Sequence, residues 1–190
     1  MPYDDEIWEL VPEDPGPPPP HLTAFVRGLQ RARRALDLGC GDGRLTADLA
    51  ADEITAADVS RLALDRAAWR LPGARLVEVA LDAPLPFEDG EFDLVLCAET
   101  IEHVRDVQLL LSELRRVLEP GGRLAVTTPA HSRLTGLDVL VRGFERRFPP
   151  LSPHLRFLTK RALARLLDDL GFDVEGIARR GGTLLARASR

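Results

Sequence analysis

Lysine is almost absent from this sequence of 190 residues, since Lys160 is the only one beside 24 arginines. We interpret the deficit as a matter of genome composition rather than of chemistry. Cysteine is also scarce: Cys40 and Cys97 are the only two, and each lies in an apolar or glycine-rich stretch. Such a pair predicts buried, reduced thiols in a cytoplasmic protein and argues against a disulfide framework.

Long apolar runs are missing as well, and no stretch has the length that a bilayer-spanning helix needs. The acidic start, residues 3–6, is unlike a signal peptide. Both observations predict a cytoplasmic protein without a membrane partner. The length suits one domain with a sizeable core.

The sequence also lacks an excess of positive charge, since its formal net charge is −5. This charge argues against a general nucleic-acid binder. The balance is uneven: residues 1–130 carry a net −11, and residues 131–190 carry a net +6. Two interpretations fit the basic part, namely solvated helix faces or a surface that attracts an anionic substrate. The candidate contacts for such a substrate are Arg133, Arg142, Arg146 and Arg156.

Prolines divide the chain into a leader and one domain. Residues 1–20 form a Pro-rich leader, whose part 13–20 predicts stiff polyproline rather than helix or core strand. Trp8 and Leu10 either fold back over the domain or stay mobile. Residues 21–190 form the domain, beginning with a helix over 21–32.

Strand and helix patterns alternate along the domain. Strands are predicted at residues 35–38, 53–59, 75–80, 92–98, 123–128, 172–178 and 183–188. Helices are predicted at residues 44–51, from Ser60 to about 68, at 107–118 and at 159–170. Helices between strands predict parallel pairing, and the closing hairpin predicts one antiparallel strand. The fold class is therefore α/β, a doubly wound Rossmann-like sheet.

A proline-bracketed insertion, residues 129–158, interrupts this rhythm and contains a predicted helix over about 134–148. It would lie beside the carboxyl ends of the strands, as a lid or a substrate wall.

A glycine turn follows the first predicted strand. Asp37 ends the strand, and Gly39, Gly41 and Gly43 follow at every second position. Such a turn lets the backbone approach a nucleotide-like ligand closely. A dinucleotide fingerprint places its third glycine three residues after the second, which disfavours a nicotinamide site here without excluding it.

Two further acids follow the next two strands. Asp58 lies 21 residues after Asp37, where a carboxylate can accept hydrogen bonds from ribose hydroxyls. Asp82 follows the third strand, where a carboxylate can meet the exocyclic amine of adenine. Each acid alone also fits a polar loop residue. Together they outline a ribosyl-adenine site at the topological switch point.

With residues 81–95 and 116–122, these motifs resemble the class I S-adenosylmethionine-dependent methyltransferases, of the ubiquinone-pathway-like type, over about residues 34–188. The resemblance implies S-adenosylmethionine as cofactor and a seven-stranded sheet with its last strand antiparallel. It implies that Asp37, Gly39, Cys40, Gly41 and Gly43 hold the methionine end, Asp58 the ribose, Val59, Asp82 and Ala83 the adenine, and Ala98 and Glu99 the sulfonium side.

A candidate catalytic segment follows the fourth strand. If it begins a helical turn, Glu99, Glu102 and His103 share one face. They then brace the loop, or His103 acts as a general base toward a substrate hydroxyl. The same Glu-His pair occurs in methyltransferases that resemble the ubiquinone-pathway O-methyltransferases.

The same acids and histidine also suit a metal, with His154 as a further ligand. This set resembles the metal-dependent small-RNA 3′-terminal 2′-O-methyltransferases. Phe157 and Leu158 stand where that family has aromatic and acidic residues, a departure from its pattern.

We therefore expect a methyltransferase that acts on an oxygen atom of a small molecule, with His103 catalytic and no metal. The alternatives are the metal-dependent RNA enzyme, a non-catalytic cofactor-binding regulatory module and a nicotinamide oxidoreductase. Of the other histidines, His131 follows the fifth strand and either lines the substrate pocket or is a polar loop residue.

Overall fold

The computed structural model of the chain describes residues 2–80, 83–131, 135, 140, 141, 143 and 154–190. The strands are β1 (Ala32–Leu38), β2 (Ala51–Asp58), β3 (Arg75–Glu78), β4 (Phe92–Ala98), β5 (Leu118–Pro129), β6 (Asp173–Arg180) and β7 (Thr183–Ser189). The helices are α1 (Pro2–Leu10), α2 (Pro20–Arg27), α3 (Arg61–Arg70), α4 (Val107–Val117) and α5 (Lys160–Asp169).

One sheet contains all seven strands, in the order β3-β2-β1-β4-β5-β7-β6. Strand β1 pairs in parallel with both β2 and β4, so the order reverses direction beside β1. Strand β7 is antiparallel to both of its neighbours, β5 and β6. The predicted doubly wound α/β sheet with an antiparallel last strand is confirmed, and β1 marks its switch point.

Alternating side chains of β1 supply two apolar layers. Leu36 and Leu38 belong to the cluster that includes Leu111 of α4 and Leu163 of α5. Ala35 belongs to the opposite cluster, with Phe25 of α2. Because side chains alternate along a strand, Asp37 lies on the same sheet face as Ala35. Helices therefore cover both faces, as a parallel sheet requires.

The helix predicted over residues 44–51 does not form. Only a short 3₁₀ segment, Thr46–Asp48, follows the glycine turn, and the chain is extended again at Leu49. Tertiary contacts explain the difference, because Thr46 donates a hydrogen bond to Asp37 and Leu49 is buried in the core. Asp48 forms an ion pair with Arg27 of α2.

The N-terminal segment contains a helix that the sequence analysis did not predict. Helix α1 covers Pro2–Leu10 and packs against α3. Residues 11–19 contain no helix or strand, in line with their prolines. Trp8 folds back onto the domain, whereas Leu10 is 86% exposed.

The remaining elements agree with prediction to within a few residues. Strand β4 has the predicted bounds, whereas α2 ends at Arg27 and β5 begins at Leu118, right after α4. Cys40 and Cys97 are buried free thiols, as expected. The helix predicted over residues 134–148 lies almost entirely outside the described residues. Among those that are described, no helix has the length and apolar character to cross a bilayer.

Leu111 and Leu10 offer a matched test of this core. The side chain of Leu111 is fully buried between α4 and the sheet, whereas that of Leu10 is 86% exposed. We expect Leu111→Ala to lower the free energy of unfolding by about 2–5 kcal/mol, because it removes buried methyl groups and leaves a cavity. Leu10→Ala should change it by less than about 0.5 kcal/mol. Urea denaturation followed by circular dichroism measures both, and equal effects would contradict the packing described.

Candidate active site

The glycine turn is attached to the carboxyl end of β2. The backbone N–H groups of Gly39 and Cys40 both donate to the carbonyl oxygen of Ala57, at 2.8 and 3.0 Å. Gly39 and Gly41 have positive φ angles, +78° and +55°. A Cβ at Gly39 would lie 2.1 Å from Thr100 Oγ1, so the turn also needs glycine for a close approach to the loop after β4.

Asp58 lies at the end of β2 and is buried. Its Oδ2 accepts a hydrogen bond from the Gly41 N–H at 2.8 Å, and its Oδ1 accepts one from the Ser60 N–H at 3.0 Å. The carboxylate that the sequence assigns to ribose binding therefore also holds the glycine turn. Each carboxylate oxygen can accept more than one hydrogen bond, so the two roles are compatible. Val59, between these contacts, is half-buried.

Asp37 is buried at 1% exposure on the sheet face that α2 and α3 cover. Its Oδ2 accepts a hydrogen bond from the Thr46 hydroxyl at 2.6 Å. Its Oδ1 has no hydrogen-bond partner among the described residues. Burial raises the pKa of Asp37 from 3.8 to about 7, which the Thr46 hydroxyl opposes and the Asp58 charge reinforces. A donor from a ligand would satisfy the remaining oxygen.

Glu99 follows Ala98, the last and buried residue of β4, and has a positive φ of +51°. Its N–H donates to the Thr127 carbonyl oxygen, and its Oε1 accepts from the Thr127 hydroxyl at 2.8 Å. Burial raises the pKa of Glu99, while the Thr127 hydrogen bond and the His21 charge lower it. Because its backbone is in the left-handed region, Glu99 is not part of the turn that follows at residues 101–103.

Glu99, Glu102 and His103 do not share one helical face, because the turn after β4 does not include Glu99. A single turn covers residues 101–103, and α4 begins only at Val107. Glu102 Oε2 accepts from the Thr128 hydroxyl at 3.0 Å, whereas Glu99 binds Thr127. The two glutamates thus contact successive threonines of β5. Their separation follows from the backbone at Glu99, which no sequence pattern reveals.

Three side chains of the candidate catalytic region converge. The ligand atoms of Glu102, His103 and His154 all lie within 4.8 Å of one another. The two imidazole centroids are 4.9 Å apart, and His103 Nε2 lies 3.9 Å from Glu102 Oε1. That Glu102 oxygen is buried and has no hydrogen-bond partner among the described residues. Burial raises the pKa of Glu102 to about 7, and burial together with His103 lowers that of His154.

Backbone contacts fix this convergence. The Leu155 N–H donates to the Glu102 carbonyl oxygen at 2.8 Å, so the segment that carries His154 lies against the turn at residues 101–103. The Arg156 guanidinium donates to the carbonyl oxygens of Val104 and Arg105. Arg156 therefore joins these two segments, and its contact with an anionic substrate stays a prediction. The other three candidate arginines lie outside the described residues.

Other predicted residues are placed as follows. Asp82 lies outside the described residues, while the neighbouring Ala83 is half-buried. The imidazole of His131 packs edge-on against Phe157, and that of His21 lies 3.1 Å from the Thr183 hydroxyl. Most of the insertion 129–158 also lies outside the described part.

Thr46 and Thr100 are site residues that the sequence analysis missed. Thr46 orients Asp37, and Thr100 Oγ1 contacts the carbonyl oxygens of Leu38 and Ala98 at 3.3 and 3.0 Å. A hydroxyl residue in a loop is too common to single out either one from sequence.

Known proteins resemble the chain in sequence. A family model described as a methyltransferase domain matches residues 36–126. A Mycolicibacterium smegmatis protein, named "Probable S-adenosylmethionine-dependent methyltransferase", is 38% identical over 165 residues, covering 82% of this chain and 58% of the relative. The demethylmenaquinone methyltransferase of Clavibacter sepedonicus is 36% identical over 80% of this chain and 58% of its own length. The chain thus spans little more than half the length of these relatives.

The chain belongs to the class I S-adenosylmethionine-dependent methyltransferases. A solved methyltransferase from Aquifex aeolicus shares the fold, with a TM-score of 0.70 at 18% identity over 97% of this chain and 96% of that one. The family uses S-adenosylmethionine, which argues against the nicotinamide alternative. The site fits that cofactor, because Asp37 Oδ1 is a buried, unpartnered acceptor among the described residues and Gly39 has no room for a Cβ.

Asp37 provides a test of the site through its protonation. Its pKa in the folded protein is about 7, above the ordinary 3.8, so the folded protein binds this proton more tightly than the unfolded chain. Stability should then fall as pH rises from about 4 to about 7. We expect Asp37→Asn to be more stable than the wild type at about pH 8, with the gain shrinking toward about pH 4.

Thermal unfolding across this pH range measures the difference. Asp65→Asn is the matched control, since the Asp65 side chain is 58% exposed and, among the ion pairs of the described residues, pairs only with Arg61, which is 69% exposed. A variant at Asp37 that is less stable than the wild type above neutral pH would contradict the raised pKa.

Proposed function

We propose that the chain transfers the methyl group of S-adenosylmethionine to an oxygen atom of a small molecule. The observation that carries this proposal is the position of His103. It is exposed in the turn after β4, beside the buried carboxylate of Glu102. The same edge of the sheet carries the glycine turn and Asp58. A proton acceptor and a cofactor site thus share one edge.

The cofactor residues act by holding and orienting. When bound, S-adenosylmethionine supplies an electrophilic methyl group on a sulfonium. Asp37 and the backbone from Gly39 to Gly43, Cys40 included, would hold its methionine end, and Asp58 would bind the ribose. The residues that would contact the adenine are Val59, Asp82 and Ala83, and those that would contact the sulfonium side are Ala98 and Glu99. In such a displacement, alignment of the reacting atoms supplies much of the rate.

His103 takes the proton of the acceptor hydroxyl as the new bond to oxygen forms. A neutral imidazole is suited to this task near neutral pH. Glu102 Oε1, 3.9 Å from Nε2, then lies where a carboxylate stabilises the imidazolium that results. Relatives support the reaction type in general terms only. One is named malonyl-[acyl-carrier protein] O-methyltransferase and another demethylmenaquinone methyltransferase, so their acceptors differ.

This reaction would take place in the cytoplasm. The partner is a small acceptor molecule, which is anionic if the basic residues 131–190 face the site. A nucleic-acid partner is not part of this first proposal.

Substitution of His103 tests the proposal. We expect His103→Ala to lower kcat by about 10²–10⁴-fold, because general-base assistance is lost. The affinity for S-adenosylhomocysteine, measured by calorimetry, should stay the same and is the control. The assay measures S-adenosylhomocysteine release across a panel of hydroxyl, carboxyl and amine acceptors. Unchanged turnover in the variant would refute the base, and absence of release with every acceptor favours a non-catalytic regulatory module.

A second candidate function is metal-dependent methylation, for which the acceptor would be the 2′-hydroxyl group at the 3′ end of an RNA. The convergence of Glu102, His103 and His154 favours it, since two imidazoles and one carboxylate with an open position form a recurring catalytic metal set. Glu99, the fourth residue of the predicted set, is not among the converging ligands.

Chelation distinguishes the two candidates. If His103 is a base, EDTA leaves turnover unchanged, and Zn²⁺ or Mn²⁺ produces no binding heat that depends on His154. If the cluster holds a metal, EDTA abolishes turnover, Mn²⁺ or Zn²⁺ restores it, and His154→Asn removes the metal-binding heat. RNA with and without a free 2′-hydroxyl at its 3′ end identifies the acceptor in the second case.

A further inference from the structure

The N-terminal residues 5–16, here called the N-terminal strap, lie across α3 and the glycine turn. The strap consists of the second half of α1 and the first part of the proline-rich segment. Its contacts fall on Gly41 of the glycine turn and on residues that adjoin the cofactor motifs, although none of the motifs includes a strap residue.

Trp8 contacts the middle glycine of the turn. A Cβ built on Gly41 would lie 2.8 Å from Cζ2 and 3.0 Å from Cη2 of the Trp8 ring. The ring therefore occupies the space that a side chain at position 41 would fill. On its other side, the Arg66 guanidinium lies 5.8 Å from the ring centroid. The N–H of the same glycine donates to Asp58, so a single residue separates Trp8 from the predicted ribose ligand.

Asp5 provides a second anchor beside Asp58. Its Oδ1 accepts from the Ser60 hydroxyl at 2.5 Å and from the Leu62 N–H at 3.3 Å. The Ser60 N–H in turn donates to Asp58 Oδ1 at 3.0 Å. These hydrogen bonds lower the pKa of Asp5. Two strap residues thus meet Asp58 through one intervening residue each.

Two arginines of the domain hold the rest of the strap. Arg66 Nη1 donates to the Val11 carbonyl oxygen at 2.9 Å, and Arg44 Nη1 donates to that of Gly16 at 2.9 Å. Arg44 directly follows the glycine turn and also pairs with Asp42 inside it. The strap is therefore fixed at four points around the turn.

We propose that the N-terminal strap is a wall of the cofactor site, with Trp8 as a cofactor-positioning residue, and that strap docking and cofactor binding strengthen each other. The strap does not act as a competitor. The strap forms its hydrogen bonds with Ser60, with α3 and with Arg44. Asp37 Oδ1, in contrast, has no partner among the described residues. A segment that mimicked the cofactor would satisfy that buried acceptor.

The coupling is reciprocal by thermodynamic necessity. If the docked strap raises the affinity for the cofactor, the bound cofactor must hold the strap more firmly. Both directions can be measured without turnover, so the result does not depend on the acceptor or on the role of His103.

Calorimetry with S-adenosylhomocysteine measures the first direction. We expect Trp8→Ala to weaken binding about tenfold, because the aromatic surface against Gly41 is lost. Trp8→Phe, which keeps a ring, should stay within about threefold of the wild type. Trp69→Ala is the matched control, since Trp69 is 90% exposed on α3, and it should not change affinity. Equal melting temperatures of the free variants show that folding is intact.

Fluorescence measures the second direction, because the chain has only two tryptophans. Trp69→Phe leaves Trp8 as the single tryptophan, and its emission, excited where tyrosine does not absorb, should change as S-adenosylhomocysteine is added, with the Kd that calorimetry gives. Trp8→Phe leaves Trp69, whose emission should stay constant.

Two results overturn the proposal. Tighter binding after Trp8→Ala shows that the strap competes with the cofactor. Wild-type affinity in that variant together with constant Trp8 emission shows that the strap is a bystander. Absence of S-adenosylhomocysteine binding in the wild type contradicts the cofactor itself, whereas binding without methyl transfer contradicts only the proposed reaction.

Discussion

The close approach of Gly39 to Thr100 is the contact on which the site depends. A Cβ at Gly39 would lie 2.1 Å from Thr100 Oγ1, so only glycine lets the loops after β1 and β4 meet. The Thr100 hydroxyl contacts the carbonyl oxygens of Leu38 and Ala98, and its own carbonyl oxygen accepts the His103 N–H. One contact thus sets the spacing between the cofactor turn and the candidate base.

The buried carboxyl groups of Asp37 and Glu102 have the same hydrogen-bonding pattern. Asp37 and Glu102 each bind a threonine hydroxyl through one oxygen, and the other oxygen has no partner among the described residues. Burial raises the pKa of both to about 7. An unsatisfied buried acceptor lowers stability, so such groups persist where a ligand or a reaction uses them. The threonines fix the carboxyl orientation and leave one oxygen toward the site.

The sequence by itself determined the seven strands in their order along the chain and, through the family resemblance, the expected cofactor. Continuous apolar runs suit strands that are covered on both faces, which is why residues 92–98 were predicted with their observed bounds. The glycine turn, Asp58 and the strand alternation act through local geometry and spacing, so they are readable without a structure. S-adenosylmethionine is what the resemblance of these motifs to the class I methyltransferases implies, and the related proteins support that family.

Only the tertiary structure decided which side chains meet. His154 lies beside Glu102 because the N–H of Leu155 donates to the Glu102 carbonyl oxygen. These residues are about 50 positions apart in the chain, and the periodicity of a sequence does not show which such distant residues are in contact. The helix expected over 44–51 gave way to a 3₁₀ segment because Asp37 and the core hold Thr46 and Leu49. The sequence left open whether Trp8 folds back onto the domain, because the contacts of Trp8 with Gly41 and of Asp5 with Ser60 exist only in the folded chain.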